Sequence, residues 1–216
     1  MICPDPEPGL PHPGNEHIYK LLERLRLAGL LTYLHPLPVQ ALYMGVNGFI
    51  TIALLSLLAF LTGSDFIFPS LGPTAYVFFS TPLAESARPK DAILGHAIGL
   101  ACGYAAFRLA LEYGQYGLAN FDHGFYWPKI LAAALSLAST ATLLVLTRIQ
   151  HAPACATTLI VSLGILSTPR DLLIIELAVL LLTAQAFVIN RLAGLPYPIW
   201  NSTLHLRQSQ GFPSAD

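Results

Sequence analysis

Hydrophobic and polar positions fall in long blocks along this chain. Residues 36–64, 66–84, 130–147 and 149–169 contain no Asp, Glu, Lys or Arg. An apolar window of about 20 residues is the length of helix that crosses the hydrocarbon core of a bilayer. Four full spans are predicted, at 41–62, 91–111, 129–148 and 171–192, with two shorter apolar segments at 66–83 and 152–167. Ahead of them, Ile18, Leu21, Leu22, Leu25 and Ala28 recur at helical spacing opposite Lys20, Glu23, Arg24 and Arg26. This pattern predicts an amphipathic interfacial helix over 17–35 whose three cations place the N-terminus in the cytoplasm, the membrane being the cell inner (plasma) membrane. Prolines at 4, 6, 8, 11 and 13 predict a disordered segment over 1–16, and 201–216 reads as a polar tail. The expected fold class is an all-α membrane protein with its transmembrane domain over 36–200.

Within the apolar blocks one punctuation occurs twice. Pro69-Ser70-Leu71-Gly72-Pro73-Thr74 is followed by Pro89-Lys90-Asp91 and, five residues past the Asp, by His96. Pro153-Ala154-Cys155-Ala156-Thr157-Thr158 is followed by Pro169-Arg170-Asp171 and, again five past the Asp, by Glu176. The pattern predicts two similar halves, about 41–111 and 129–192, each holding one short Pro-led helix. Interrupted helices in corresponding positions of two halves point to a binding site near the midplane. Either short segment is re-entrant or spanning. Prolines at the segment starts favour the re-entrant form, which makes the halves parallel, whereas full crossing makes them inverted.

Proline suits the first turn of a helix, because its missing N–H would be unpaired there, so Pro73 and Pro153 are expected at helix starts. A helix start inside a membrane presents free N–H groups and a positive dipole end, which an anion satisfies. Gly72 keeps the approach open, and Ser70, Thr74, Thr157 and Thr158 offer hydroxyls to a ligand or to freed carbonyls. His151 completes this candidate substrate-binding set. His96 and Glu176 lie about one and a half turns inside their helices, where an ionisable group is costly, and are candidates for proton coupling. Asp91 and Asp171 read as helix caps, with Lys90 and Arg170 as interface anchors. Gly95, Gly99 and Gly103 give one helix a face without bulk and read as a packing surface, for a helix of the same chain or of another subunit.

Composition narrows the function classes. Hydrophobic residues make up 54% of the chain and charged residues 11%, too little polar surface for a soluble fold of 216 residues. No basic stripe suggests nucleic acid. Cys3, Cys102 and Cys155 are scattered, without disulfide or metal-ligand spacing. No paired carboxylates, nucleophile-base set or metal cluster supports catalysis, so no enzyme activity, cofactor or metal is expected.

The segment His151-Ala152-Pro153-Ala154-Cys155-Ala156-Thr157-Thr158, continuing to Gly164, resembles the signature of the HPP family of integral membrane proteins. That family is named for a His-Pro-Pro sequence followed by small residues and Thr. Ser70-Leu71-Gly72-Pro73-Thr74-Ala75, Pro82-Leu83-Ala84, Pro89-Lys90-Asp91, Gly95-His96 and the closing Asn190-Arg191-Leu192-Ala193-Gly194-Leu195-Pro196-Tyr197-Pro198 are similar to its other blocks, in order. The resemblance covers roughly 40–198 and implies a compact transmembrane domain with a transport role. Nitrite movement is associated with some plastid and cyanobacterial relatives. Ala152 departs from the name motif, replacing its first Pro, and the stretch from Pro82 to Pro89 is longer than in the nitrite-associated relatives. Two readings stand. One is a transporter or channel for a small inorganic anion, nitrite being the example, in a lipid bilayer and with a homo-oligomer as an open option. The other is a non-transporting sensor or assembly protein whose broken helices serve packing only.

Overall fold

A computed structural model of the chain describes residues 29, 35–115 and 127–197. Apart from Gly29 and His35, the expected interfacial helix lies outside the described residues, as do 1–16 and the tail over 201–216. The elements are α1 (Pro36–Thr62), α2 (Leu71–Ser80), a 3₁₀ turn (Glu85–Ala87), α3 (Pro89–Gln115), α4 (Trp127–Leu146), α5 (Ala154–Ser162) and α6 (Pro169–Leu192). Among the described residues, four helices are long and apolar enough to cross a membrane: Pro36–Thr62, Pro89–Glu112, Trp127–Leu146 and Pro169–Leu192. The helix ends follow local chemistry. Pro36 opens α1, and Gly63 closes it at φ 61°, a left-handed conformation open to glycine. Thr168 and Asp171 form a reciprocal capping box at the start of α6, with backbone-to-side-chain bonds of 3.2 and 2.9 Å.

Long-range contacts within the chain fix the directions of the helices. Arg170 at the start of α6 donates to the Ser64 hydroxyl just past α1 (3.3 Å), while Tyr43 near the start of α1 donates to Asn190 near the end of α6 (2.7 Å). Those two helices are therefore antiparallel. Asn190 also donates to the Phe78 carbonyl (3.1 Å), so α2 runs back beside α1 and ends where α1 begins. The hydroxyl of Tyr197, just past α6, donates to the Ala87 carbonyl at that same end, and α3 starts there. Gly99 and Gly103 of α3 lie against Ala154 and Thr158 of α5, and Gly164 lies against Phe107, so α5 runs parallel to α3.

Each short segment therefore continues across the layer in the sense that alternates with its neighbours. The re-entrant form, favoured by the proline positions, is corrected by these contacts. Non-helical residues, 63–70 and 147–153, precede the two short helices, in which only 10 and 9 residues are helical. Such helices are about 15 Å long, half the thickness of a hydrocarbon core. Gln150, just past α4, donates to Glu85 at the end where α3 starts (2.6 Å), so α4 runs opposite to α1.

Burial is the reverse of that in a water-soluble protein. Large apolar side chains stand outside, Phe49 at 75% and Phe60 at 84% exposure, while Ser70, Thr74, Asp91, His96, Thr157 and Asn190 are wholly buried. Lipid accepts the first group and the protein interior must satisfy the second. The inner apolar contacts come from Leu71, Ala75, Phe78 and Phe79 of α2 against Ile175, Val179 and Leu182 of α6. Gly95, Gly99 and Gly103 bring α3 and α5 together within this chain. A Cβ at Gly99 would stand 2.6 Å from the Ala154 carbonyl oxygen, and one at Gly103 2.7 Å from that of Thr158. Without side chains there, the backbone of α5 lies directly on α3.

Candidate functional site

The loops that lead into α2 and α5 bring two helix starts together in the interior. Pro153 immediately precedes α5. Pro73 does not start α2, which begins two residues earlier at Leu71. The first-turn amides are also less available than the prolines suggest. Leu71 and Thr74 donate to Phe68 and Ser70 carbonyls (3.1 and 3.2 Å), and Ala154, Cys155, Ala156 and Thr157 donate to carbonyls of 151–153. Tight turns before each helix have already bonded most of the N–H groups expected to face a ligand. Side chains, more than backbone, carry the polarity of this site.

Those side chains form one connected set. Ser70 Oγ and Thr157 Oγ1 are 2.7 Å apart, joining the start of α2 to α5. Thr157 Oγ1 lies 2.7 Å from His96 Nδ1, and His96 Nε2 lies 3.1 Å from Thr74 Oγ1. Thr74 donates to the Ser70 carbonyl (2.8 Å) and sits 3.5 Å from His151 Nε2. His151 Nδ1 is 2.9 Å from the carbonyl oxygen of Ser86. The two imidazole rings are 5.1 Å apart, and Phe78 flanks that of His151. Ser70, Thr74, His96 and Thr157 are fully buried and His151 is 1% exposed.

With both rings neutral, one assignment of hydrogens satisfies every bond of the set except the 3.5 Å contact between Thr74 and His151 Nε2, where no proton lies between the two atoms. The Ser86 carbonyl only accepts, so His151 carries its proton on Nδ1. The Thr74 hydroxyl proton points to Ser70, so His96 donates from Nε2 and its Nδ1 accepts from Thr157. The Thr157 oxygen then accepts from Ser70. The two histidines are thus opposite tautomers, a pattern that packing alone does not require. Nitrogen NMR of labelled protein in nanodiscs is expected to read Nε2–H for His96 and Nδ1–H for His151. Two identical tautomers would refute the assignment.

Outside this set, an open cleft of about 610 Å³ lies where the two helix starts reach the surface, lined by Gly72, Pro73, Tyr76, Ala152, Pro153 and Ala156. The family described as HPP, transmembrane region, matches residues 35–198. The chain belongs to this HPP family. No curated protein matches it, and no solved structure does.

The other candidate residues of this HPP domain form no hydrogen bond with the histidine set among the described residues. Gly72 stands at the surface cleft, and the hydroxyl of Thr158 is buried without a partner among the described residues. Glu176 lies on α6 with one carboxylate oxygen buried and bonded to no described residue. Asp91 is wholly buried and pairs with Arg88 at 2.9 Å. Lys90 lines a second cleft, and Asp171 and Arg170 are occupied at the start of α6, as described above. Past α6, burial and then the neighbouring Tyr43 push the Tyr197 phenol up, which keeps it a donor to Ala87. Among the described residues, no group of three His, Cys, Asp or Glu could hold a metal ion. A furrow of about 580 Å³ between α3 and α4 is lined by small and aliphatic residues such as Ala105, Leu109 and Leu131, and holds no charge for an ion.

Sequence reasoning reached all five residues of the set but divided them between substrate binding and proton coupling. It had no signal for Ser86, whose contribution is a backbone carbonyl, nor for the Tyr43–Asn190–Phe78 brace that holds the far end of α2.

Proposed function

We propose that this HPP protein moves a small inorganic anion, with nitrite as the first candidate, through the point where α2 and α5 begin. The observation that carries the reading is the Ser70–Thr157 contact, 2.7 Å between hydroxyls from two interrupted helices whose dipoles both point their positive ends inward. When that contact opens, two hydroxyl donors turn toward one position. A second proton on His96 converts Nδ1 from acceptor to donor and releases the Thr157 hydroxyl for the anion. His151, the Asp91 carboxylate and its partner Arg88 are the ionisable groups nearest this step. We further read the triples α1–α3 and α4–α6 as an inverted pair. The end holding Arg88, Lys90, Arg148 and Arg191, with the N-terminal cations and Arg207, collects eight of the eleven Lys and Arg and is assigned to the cytoplasm.

Purified protein in liposomes, with nitrite trapped outside at alkaline pH to suppress leak as nitrous acid, tests the proposal. Nitrite uptake above protein-free vesicles, abolished in His96→Ala, is the expected result. A second reading, a non-transporting sensor or assembly protein, is favoured by the closure of the polar set, in which each hydroxyl and ring nitrogen has a protein neighbour. No flux of nitrite, nitrate or chloride from folded, oriented protein would select it.

A further inference from the structure

Next to the histidine set, at the end where α3 starts and α4 finishes, lies a second cleft of about 630 Å³. Its charged lining is Glu85, Arg88, Lys90 and Arg148, with Gln150 at its edge. Arg88 is engaged by Asp91 at 2.9 Å and by Glu85 at 3.4 Å, which leaves Lys90 and Arg148 as the cations of this lining that no described residue holds in an ion pair.

Arg148 is held in an uncommon way. It has φ 57°, the one positive value among the described non-glycine residues. It follows α4, where Ile149 donates to Leu144 (2.9 Å) and Arg148 to Val145 (3.1 Å). These bonds make a helix-ending turn that calls for glycine at the left-handed position. Glycine does occupy such positions at 63, 164 and 194 of this chain. A left-handed non-glycine residue is strained, and strain of this kind gathers where a side chain is needed for function.

The cleft is also joined directly to the interior. Gln150 Nε2 donates to Glu85 Oε2 at 2.6 Å, and the next residues in each chain segment, His151 and Ser86, bond to one another at 2.9 Å. Two adjacent rungs therefore separate the cleft from His96 and Thr74, the outer one made by residues of the cleft itself.

We propose that this cleft is an outer station for the transported oxyanion, in which Arg148 and Lys90 attract it and the Gln150–Glu85 bond closes the way to His151. The proposal rests on the anion-transport reading above. Glu85 opposes the anion there, and its bond to Gln150 is the part that must open for passage. A phospholipid headgroup offers the same oxyanion chemistry, so the test separates the two sources.

Initial rates of nitrite uptake are measured in liposomes of phosphatidylcholine alone, at low and high ionic strength, for wild type, Arg148→Gly, Lys90→Gln and Glu85→Gln. Arg148→Gly is expected to raise the melting temperature by about 2–4 °C as strain is relieved. It should also raise the KM for nitrite by roughly threefold to tenfold at low salt, an effect that shrinks at high salt. Lys90→Gln should raise KM likewise, and Glu85→Gln should lower it. Should Arg148→Gly not fold, Arg148→Asn serves in its place, since Asn tolerates the left-handed region. Wild-type nitrite flux with unchanged KM in both cation variants would overturn the station while leaving the central site standing. So would loss of bound anionic lipid in native mass spectrometry without a change in KM, which would assign the cleft to headgroups. Absence of wild-type flux would instead overturn the transport reading and the station with it.

Discussion

Thr157→Val is expected to disable transport and to destabilise the protein, because valine matches threonine in shape and removes only the hydroxyl. That oxygen is 2.7 Å from both Ser70 Oγ and His96 Nδ1, so its loss leaves two fully buried polar atoms without this partner. Each orphaned group costs about 1–3 kcal/mol. The same change removes one hydroxyl donor offered to the anion, which should weaken apparent affinity for nitrite roughly 10- to 100-fold. Thr157→Ser keeps the oxygen and should restore uptake. Thermal unfolding in detergent together with liposome uptake checks both halves. Full stability with lost uptake would mean that the hydroxyl serves the ligand rather than the fold, and full uptake would remove Thr157 from the site.

Gly99→Ala is expected to have the second large effect, through geometry alone. The added Cβ would meet the Ala154 carbonyl oxygen at 2.6 Å and the Thr158 nitrogen at 3.5 Å. These are backbone atoms of α5, which cannot rotate aside as a side-chain tip can. The helix has to shift, at a cost of about 1–3 kcal/mol, and it carries Thr157 and the preceding His151 with it. Transport should fall with stability. Gly45→Ala is the control: nothing lies within 4 Å of its new Cβ, and in a helix interior alanine is favoured by up to about 1 kcal/mol. Equal melting temperatures for the two variants would contradict the close packing of α3 on α5.

Much of the architecture was legible without coordinates because its causes are local. The predicted span at 91–111 lies inside the helix Pro89–Gln115, and that at 171–192 inside Pro169–Leu192. Length of apolar run and absence of charge suffice for such helices, since in lipid the backbone has no alternative to bonding itself. The prolines also marked both short helices. They misled about the course of the chain beyond them, however, because a proline signals a break in the ladder without saying whether the backbone then turns back or goes on. The direction of α5 depends on Gly99 and Gly103 meeting Ala154 and Thr158, residues 55 apart in each pair.

The same division holds for chemistry. Ser70, Thr74, His96, His151 and Thr157 stood out because polar groups in apolar runs are costly and therefore informative. Residue type and spacing by themselves determined that this chain is an all-α HPP membrane protein with two interrupted helices and a small number of buried polar candidates. Only the tertiary structure decided that His96 joins His151 and the hydroxyls, that Glu176, Gly72 and Thr158 form no hydrogen bond with them, and that the helix-start amides are largely bonded already. The physical reason is range. Hydrophobic length and proline act on the nearest turn of backbone, whereas a hydrogen bond such as Ser70 to Thr157 joins residues 87 apart and exists only once the packed helices bring them within 2.7 Å.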